Sequence, residues 1–183
     1  MCRLLYKWNS LALMLTGILL VALPNAYADE SNSLKIEMDQ KVLYCSAQIT
    51  VTEDTFSLAM NDGIAVTTEW RIQIGKIRKY WLNEDIADIT VTRRAQPDLL
   101  TRSWLLTDTS SGISRRVYQI KEAIRFLSGL EHFPVLDRSL LKTDAAYKAS
   151  VSIRIYSGEI NTAWWVNVWE PASAILQQDF FLP

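Results

Sequence analysis

The strongest constraint on this chain is a two-residue rhythm between Gly63 and Trp81. Ile64, Val66, Trp70, Ile72 and Ile74 fall at every second position, with Thr68 completing the row. Ala65, Thr67, Glu69, Arg71 and Gln73 fill the alternate positions. Successive side chains of a strand point to opposite faces, so one face here is apolar and the other wet, the pattern of a half-buried antiparallel strand. Such a strand needs neighbours beside it and a second layer over its apolar face. The expected fold is therefore mainly β: an antiparallel β-sandwich with one packed amphipathic helix and a short second helix.

Other segments repeat the rhythm. Leu34, Ile36 and Met38 form a short first strand. Leu43, Cys45, Ala47, Ile49 and Val51 share one side of a longer one. Thr52-Glu53-Asp54-Thr55 reads as a helix start, with Thr52 as cap and two carboxylates near the positive end of the helix dipole. Phe56, Ala59 and Met60 sit at helical spacing, and Asn61-Asp62-Gly63 ends the turn with Gly63 suited to a left-handed conformation. Gly75 marks a bulge or bend, and Asn83-Glu84-Asp85 a turn. Ile86 to Thr92 is another strand, with Ala87, Ile89 and Val91 on one face. Arg93 to Asp98, containing Pro97, reads as a loop, Leu99 to Leu106 as the next strand, and Ile113 to Val117 as its hairpin partner. The period then lengthens: Val117, Ile120, Ile124 and Leu127 make a helical stripe with Ala123 beside it, ended by Gly129. Val135 to Asp144 reads as a linker anchored by Leu136, Leu140 and Leu141. Ala145 to Tyr156 is clean strand again. A Trp-rich turn around Trp164 and Trp165 and a last strand, Ile175 to Leu182, complete one domain spanning residues 29–183.

The first 28 residues read as a secretory signal peptide. Arg3 and Lys7 precede an apolar run, Leu11 to Leu23, and Ala26-Tyr27-Ala28 supplies small residues where a signal peptidase looks, so cleavage is expected after Ala28. The run is short for a spanning helix, which needs about 20 residues; retained, it would be the chain's membrane contact. This places the protein in the periplasm. Cys2 leaves with the leader, so Cys45 stands alone and reads as a buried, inert thiol.

The net charge of −1 on 183 residues, with no basic tract, offers nothing to nucleic acid. His132 is the sole histidine, no Cys or His spacing suits a metal, and no glycine-rich phosphate loop is present, so no metal or cofactor is expected. We place His132 in the loop after the helix. Asp85 with Asp88, or Glu53 with Asp54, are the carboxylate pairs that could serve acid–base chemistry, although Asp88 lies on an outward face. The tryptophans are more unusual. Trp70 has the phase of a core residue. Trp164 and Trp165 are adjacent, and on a helix they would diverge by about 100°, so at least one is expected at the surface. Arg78-Lys79-Tyr80-Trp81 reads as a solvated edge with Trp81 tucked in, or else as a contact patch. The candidate binding surface is thus Arg78, Tyr80, Trp81, Trp164 and Trp165.

With these features in place, the chain resembles the exported Gram-negative family known as domain of unknown function 4390. The matching features are the leader, the helix ending in Asn61-Asp62-Gly63-Ile64, and the strand leading to Arg78-Lys79-Tyr80-Trp81. The Leu99–Leu106 strand and the Ile120-Lys121-Glu122-Ala123-Ile124 helix add to them; the carboxy-terminal part departs most. The resemblance implies no activity and no catalytic residues. The expected function is a non-catalytic envelope module that binds an envelope protein or ligand through a sheet edge or an aromatic surface. The alternatives are a small periplasmic hydrolase with acidic residues in a cleft, and a sensory accessory to a membrane receptor.

Overall fold

The structure, a computed structural model, describes residues 32–50, 53–158 and 174–182. The signal segment with its cleavage site after Ala28, the Thr52 cap, and the Trp164–Trp165 turn lie outside the described residues. In chain order the elements are β1 (Asn32–Met38), β2 (Val42–Ile49), α1 (Glu53–Asn61), β3 (Val66–Lys76), β4 (Glu84–Asp98), β5 (Ser103–Asp108), β6 (Ile113–Val117), α2 (Ile120–Ser128), β7 (Gly129–Asp137), a 3-10 turn (Arg138–Leu140), β8 (Ala145–Ser157) and β9 (Ala174–Leu182). They form two antiparallel sheets, one ordered β1-β2-β7 and the other β6-β5-β4-β3-β8-β9.

β3 is an interior strand of the larger sheet, as its rhythm requires. Trp70 lies between Val91 of β4 and Ile153 of β8, and Ile72 between Ile89 and Val151. Val66, Trp70, Ile72 and Ile74 are fully buried, whereas Ile64 precedes the strand and is 39% exposed. The smaller sheet covers this face with Leu43, Cys45, Ala47 and Ile49 of β2 and Leu130, Val135 and Leu136 of β7. The β3–β4 register shifts at Ile74/Gly75, the irregularity that the strand glycine announced.

The helices close a second apolar cluster farther along the same face. Phe56 and Met60 of α1 and Ala123 and Leu127 of α2 meet Val66, Ala95, Leu106 and Val117. Gly63, at φ 75°, carries the Schellman ending of α1: its N–H donates to the Met60 carbonyl and the Ile64 N–H to that of Ala59. Val117 belongs to β6, so the α2 stripe starts at Ile120 and centres on Ala123 and Leu127.

Three segments differ from the sequence reading. β4 continues through Arg93–Asp98, where a loop is expected. Its pairing with β3 stops at Ala95, so Pro97 lies where β5 is the remaining neighbour, and a missing N–H is tolerated there. β5 starts at Ser103; Leu99 and Leu100 are 78% and 98% exposed in the preceding turn. The region after α2 is strand β7 paired with β2, so His132 lies in a strand and the expected linker shrinks to its last residues. There Leu141 is buried and Leu140 exposed.

Candidate functional site

Between the two apolar clusters the inner face of the larger sheet carries a polar row. Thr68, Arg93 and Asp108 lie directly opposite one another on β3, β4 and β5, and Asp108 opposes Ile113 on β6. A charge on an inward face needs partners, and Arg93 finds three. Its Nε donates to Asp108 Oδ2 at 3.0 Å, and its Nη1 donates to the carbonyls of Phe126, at 3.1 Å, and Gly129. Thr68 Oγ1 donates to the Leu127 carbonyl at 3.2 Å. The last turn of α2, whose carbonyls lack intrahelical partners and carry the negative end of the dipole, is thus received by a half-buried cation and a hydroxyl. Asp108 Oδ1 accepts from the backbone N–H groups of Ser110 and Ser111 at 2.9 and 3.2 Å, so the carboxylate is fully engaged.

Gly129 is where α2 passes into β7, with extended rather than left-handed backbone. A Cβ there would meet Oε1 of Gln48. Gln48 Nε2 in turn donates to Ser128 Oγ at 3.1 Å, so the glycine lets β2 and the end of α2 approach closely.

This row opens onto a cleft of about 770 Å³. The cleft is the corner of the larger sheet that neither the smaller sheet nor α2 covers. One wall is the β5–β6 turn and β6, the other is β7 from Gly129 to Pro134, and α2 closes the end with Glu122, Arg125 and Phe126. The Phe126 ring lies under two guanidiniums, Arg93 at 4.8 Å and Arg115 at 5.7 Å. Nη2 of Arg93 has no partner among the described residues and is the donor left at the floor. Arg115, Arg125, Glu122 and Glu131 set a rim of mixed charge. Both walls are terminal strands of their sheets among the described residues, with one pairing partner each.

His132 stands on the β7 wall. Its φ of 46° is left-handed, an uncommon state in which His is enriched. Its N–H donates to Ser46 Oγ at 3.0 Å, and its ring stacks on Tyr44 with centroids 3.8 Å apart. Nδ1 is 3.5 Å from the Glu37 carboxylate. Lys35 above all, with His132 adding, holds the Glu37 carboxyl below its ordinary range.

Three of the candidate binding residues lie elsewhere. Arg78, Tyr80 and Trp81 are on the tip between β3 and β4. Glu84, where β4 leaves that tip, is nine residues from Arg93, or about 30 Å of extended chain. Trp81 is 81% exposed and Tyr80 82%, so Trp81 is not tucked in. Arg78 pairs with Glu84 across the base of the tip. Asp88 is outward and paired with Arg71, and Asp85 is exposed at the start of β4. Arg93 and Asp108 escape the sequence reading, although Arg93 keeps the inward phase of Ile89 and Val91. Among the described residues no three metal-ligating side chains converge, and no helix is long and apolar enough to cross a membrane.

Fold and cleft together define a small antiparallel β-sandwich with a ligand-sized groove between two strand edges. The chain belongs to the family described as Domain of unknown function (DUF4390), which matches residues 29–160 and leaves β9 beyond the matched stretch. No curated protein and no solved structure matches the chain.

Proposed function

We propose that this is an exported envelope protein, periplasmic after removal of its leader, that acts as a non-catalytic binding module. Its ligand is an extended peptide segment of an envelope partner, laid in the cleft between β6 and β7. The observation that carries this reading is the pair of terminal strands walling one groove. A strand edge offers a row of backbone donors and acceptors to an incoming strand. At the floor the free Nη2 of Arg93 takes a carbonyl or carboxylate oxygen, and Phe126 with its stacked guanidiniums provides a flat surface for a side chain. Hydrolysis would need carboxylates free to exchange protons. The floor carboxylate, Asp108, is held by Arg93 and two backbone amides, which leaves Glu122 and Glu131 of the rim as the carboxylates a hydrolytic alternative would have to use.

A photo-crosslinking residue placed in intact cells at Ile113, which is 59% exposed on the β6 wall, tests the reading. The same residue at Gln73, on the opposite face of the sheet, is the control. Adducts at position 113 that disappear when Ser111→Trp fills the groove support it. Equal labelling at 113 and 73 overturns it. Sequencing the amino terminus of the periplasmic protein tests export separately: the chain should begin at Asp29.

A further inference from the structure

The tip joining β3 to β4 lies far from the cleft and has no part in the function proposed for it. Its residues 80–82 are Tyr, Trp and Leu, and all three are outside the core, at 82%, 81% and 92% exposure. Single exposed apolar residues are ordinary, but three in succession on a projecting tip mark a contact surface.

The tip is held ready rather than loose. The Ile77 N–H donates to the Ala146 carbonyl of β8 at 2.9 Å, fixing one leg of the tip. The Arg78–Glu84 ion pair ties the two legs together. The aromatic end therefore projects from a braced base.

Shape and charge decide what it meets. A stable protein–protein interface takes about 800 Å² and about 20–30 residues from each partner, and the apolar end of this tip is three residues. A bilayer needs only a few side chains at the boundary of headgroups and acyl chains, where the amphipathic rings of Trp and Tyr are favoured. Along the tip and its base Lys76, Arg78, Lys79 and Lys142 stand against Glu84 and Asp85, an excess of cations on a chain whose net charge is −1. Lys76, Lys142 and Arg78 all act on the Glu84 carboxyl, Arg78 most strongly, so they surround the same base. Lys79 Nζ lies 5.6 Å from the Tyr80 ring centre, at the aromatic end itself. Basic groups beside an apolar insertion complement anionic headgroups.

We propose that residues 80–82 form a membrane-surface anchor, with Tyr80, Trp81 and Leu82 entering the interface of an anionic phospholipid bilayer and Lys76 and Lys79 meeting its phosphates. The sandwich is then held at the membrane surface by its own hairpin, whether or not the leader is retained.

The test uses the full chain and reads Trp81 alone. Tryptophan emission of the Trp81→Ala variant is subtracted from that of the unaltered chain, so the emission of the other tryptophans, Trp8 of the leader included, cancels. Vesicles contain brominated phosphatidylcholine, with or without phosphatidylglycerol. With phosphatidylglycerol the Trp81 difference emission should move to the blue and be quenched by the bromolipid. Lys79→Glu, which keeps Trp81 as reporter, should raise the lipid concentration needed by about tenfold. Emission that stays at its solvent-exposed wavelength on anionic vesicles overturns the proposal and leaves the tip to a protein partner. An equal response on vesicles lacking phosphatidylglycerol, or none to Lys79→Glu, overturns the anionic requirement.

Discussion

Arg93 and Asp108 face each other across the β4–β5 ladder, Nε to Oδ2 at 3.0 Å, with side chains 14% and 8% exposed. They stand at the seam between the two apolar clusters, and the same guanidinium holds the end of α2. The pair therefore joins the sheet, the helix and the β5–β6 turn.

Removing one member of such a pair leaves a charge without its partner. Arg93→Met also orphans the Phe126 and Gly129 carbonyls. We expect a loss of about 3–5 kcal/mol, and a fall in Tm on the order of 10 °C for a protein of this size. Arg93→Lys should recover only part of it, because one ammonium cannot reach Nε and Nη1 partners on opposite sides. In a double-mutant cycle, Arg93→Met with Asp108→Leu should cost clearly less than the sum of the single changes. Additive losses by thermal or urea unfolding would mean that the two side chains do not act together.

Trp70 fills the centre of the larger cluster, with an indole N–H that has no partner there. Trp70→Ala should cost about 3–5 kcal/mol through the cavity it leaves. Trp70→Phe keeps a ring and removes a buried, unpaired donor, whose desolvation is itself unfavourable. Its cost should be less than half that of the alanine change, read as the difference in urea midpoints at unchanged slope.

What could be read in advance follows from where period and chemistry agree. β2, β3 and β8 alternate cleanly, and α1 has both its apolar spacing and its terminal glycine, so each appears where the sequence puts it. The carboxy-terminal half of β4 was obscured because Arg93, Arg94 and Pro97 have loop chemistry. β7 was obscured because Gly129 and Pro134 flank a stretch whose alternation is broken by the left-handed His132. The walls of the cleft have no local signature: they come from β6, β7, the β5–β6 turn and α2, brought together only by the sheet order. The one local cue was Arg93, a charge in the inward phase of its strand. For Trp81 the tucked-in alternative fails for the opposite reason, since an apolar side chain is assigned to a core until the hairpin tip beneath it is seen.

Cys45 sits among Leu43, Ala47 and Ile49 on the inner face of β2, fully buried. Burial pushes its thiol up to about 11, since a thiolate would lack solvation there. At pH 8 the native protein should leave Cys45 unmodified by iodoacetamide, and denaturant should expose it to complete reaction. Peptide mapping separates it from Cys2. Rapid native modification of Cys45 would show that the β1-β2-β7 sheet opens readily from the core.

The outer face of the larger sheet offers a test of pH dependence. Arg71 bonds both oxygens of Asp88, from Nε at 2.8 Å and from Nη2, and Gln73 adds a third donor at 3.2 Å. Arg71 first, then Gln73, holds the Asp88 carboxyl below its ordinary range. A carboxyl whose folded value lies below its unfolded one stabilises the fold above the unfolded value, about 3.9, and loses that contribution as pH falls through the folded one. The side chains are 47% and 42% exposed, so screening keeps the pair below about 1 kcal/mol. Arg71→Met should therefore be slightly less stable than the unaltered protein at pH 7 in low salt. The difference should shrink in high salt and shrink again below about pH 4. Urea titrations at both salt levels, repeated down the acid limb, check this. A difference that widens in acid would mean that Arg71 contributes by packing along the strand instead of through the Asp88 charge.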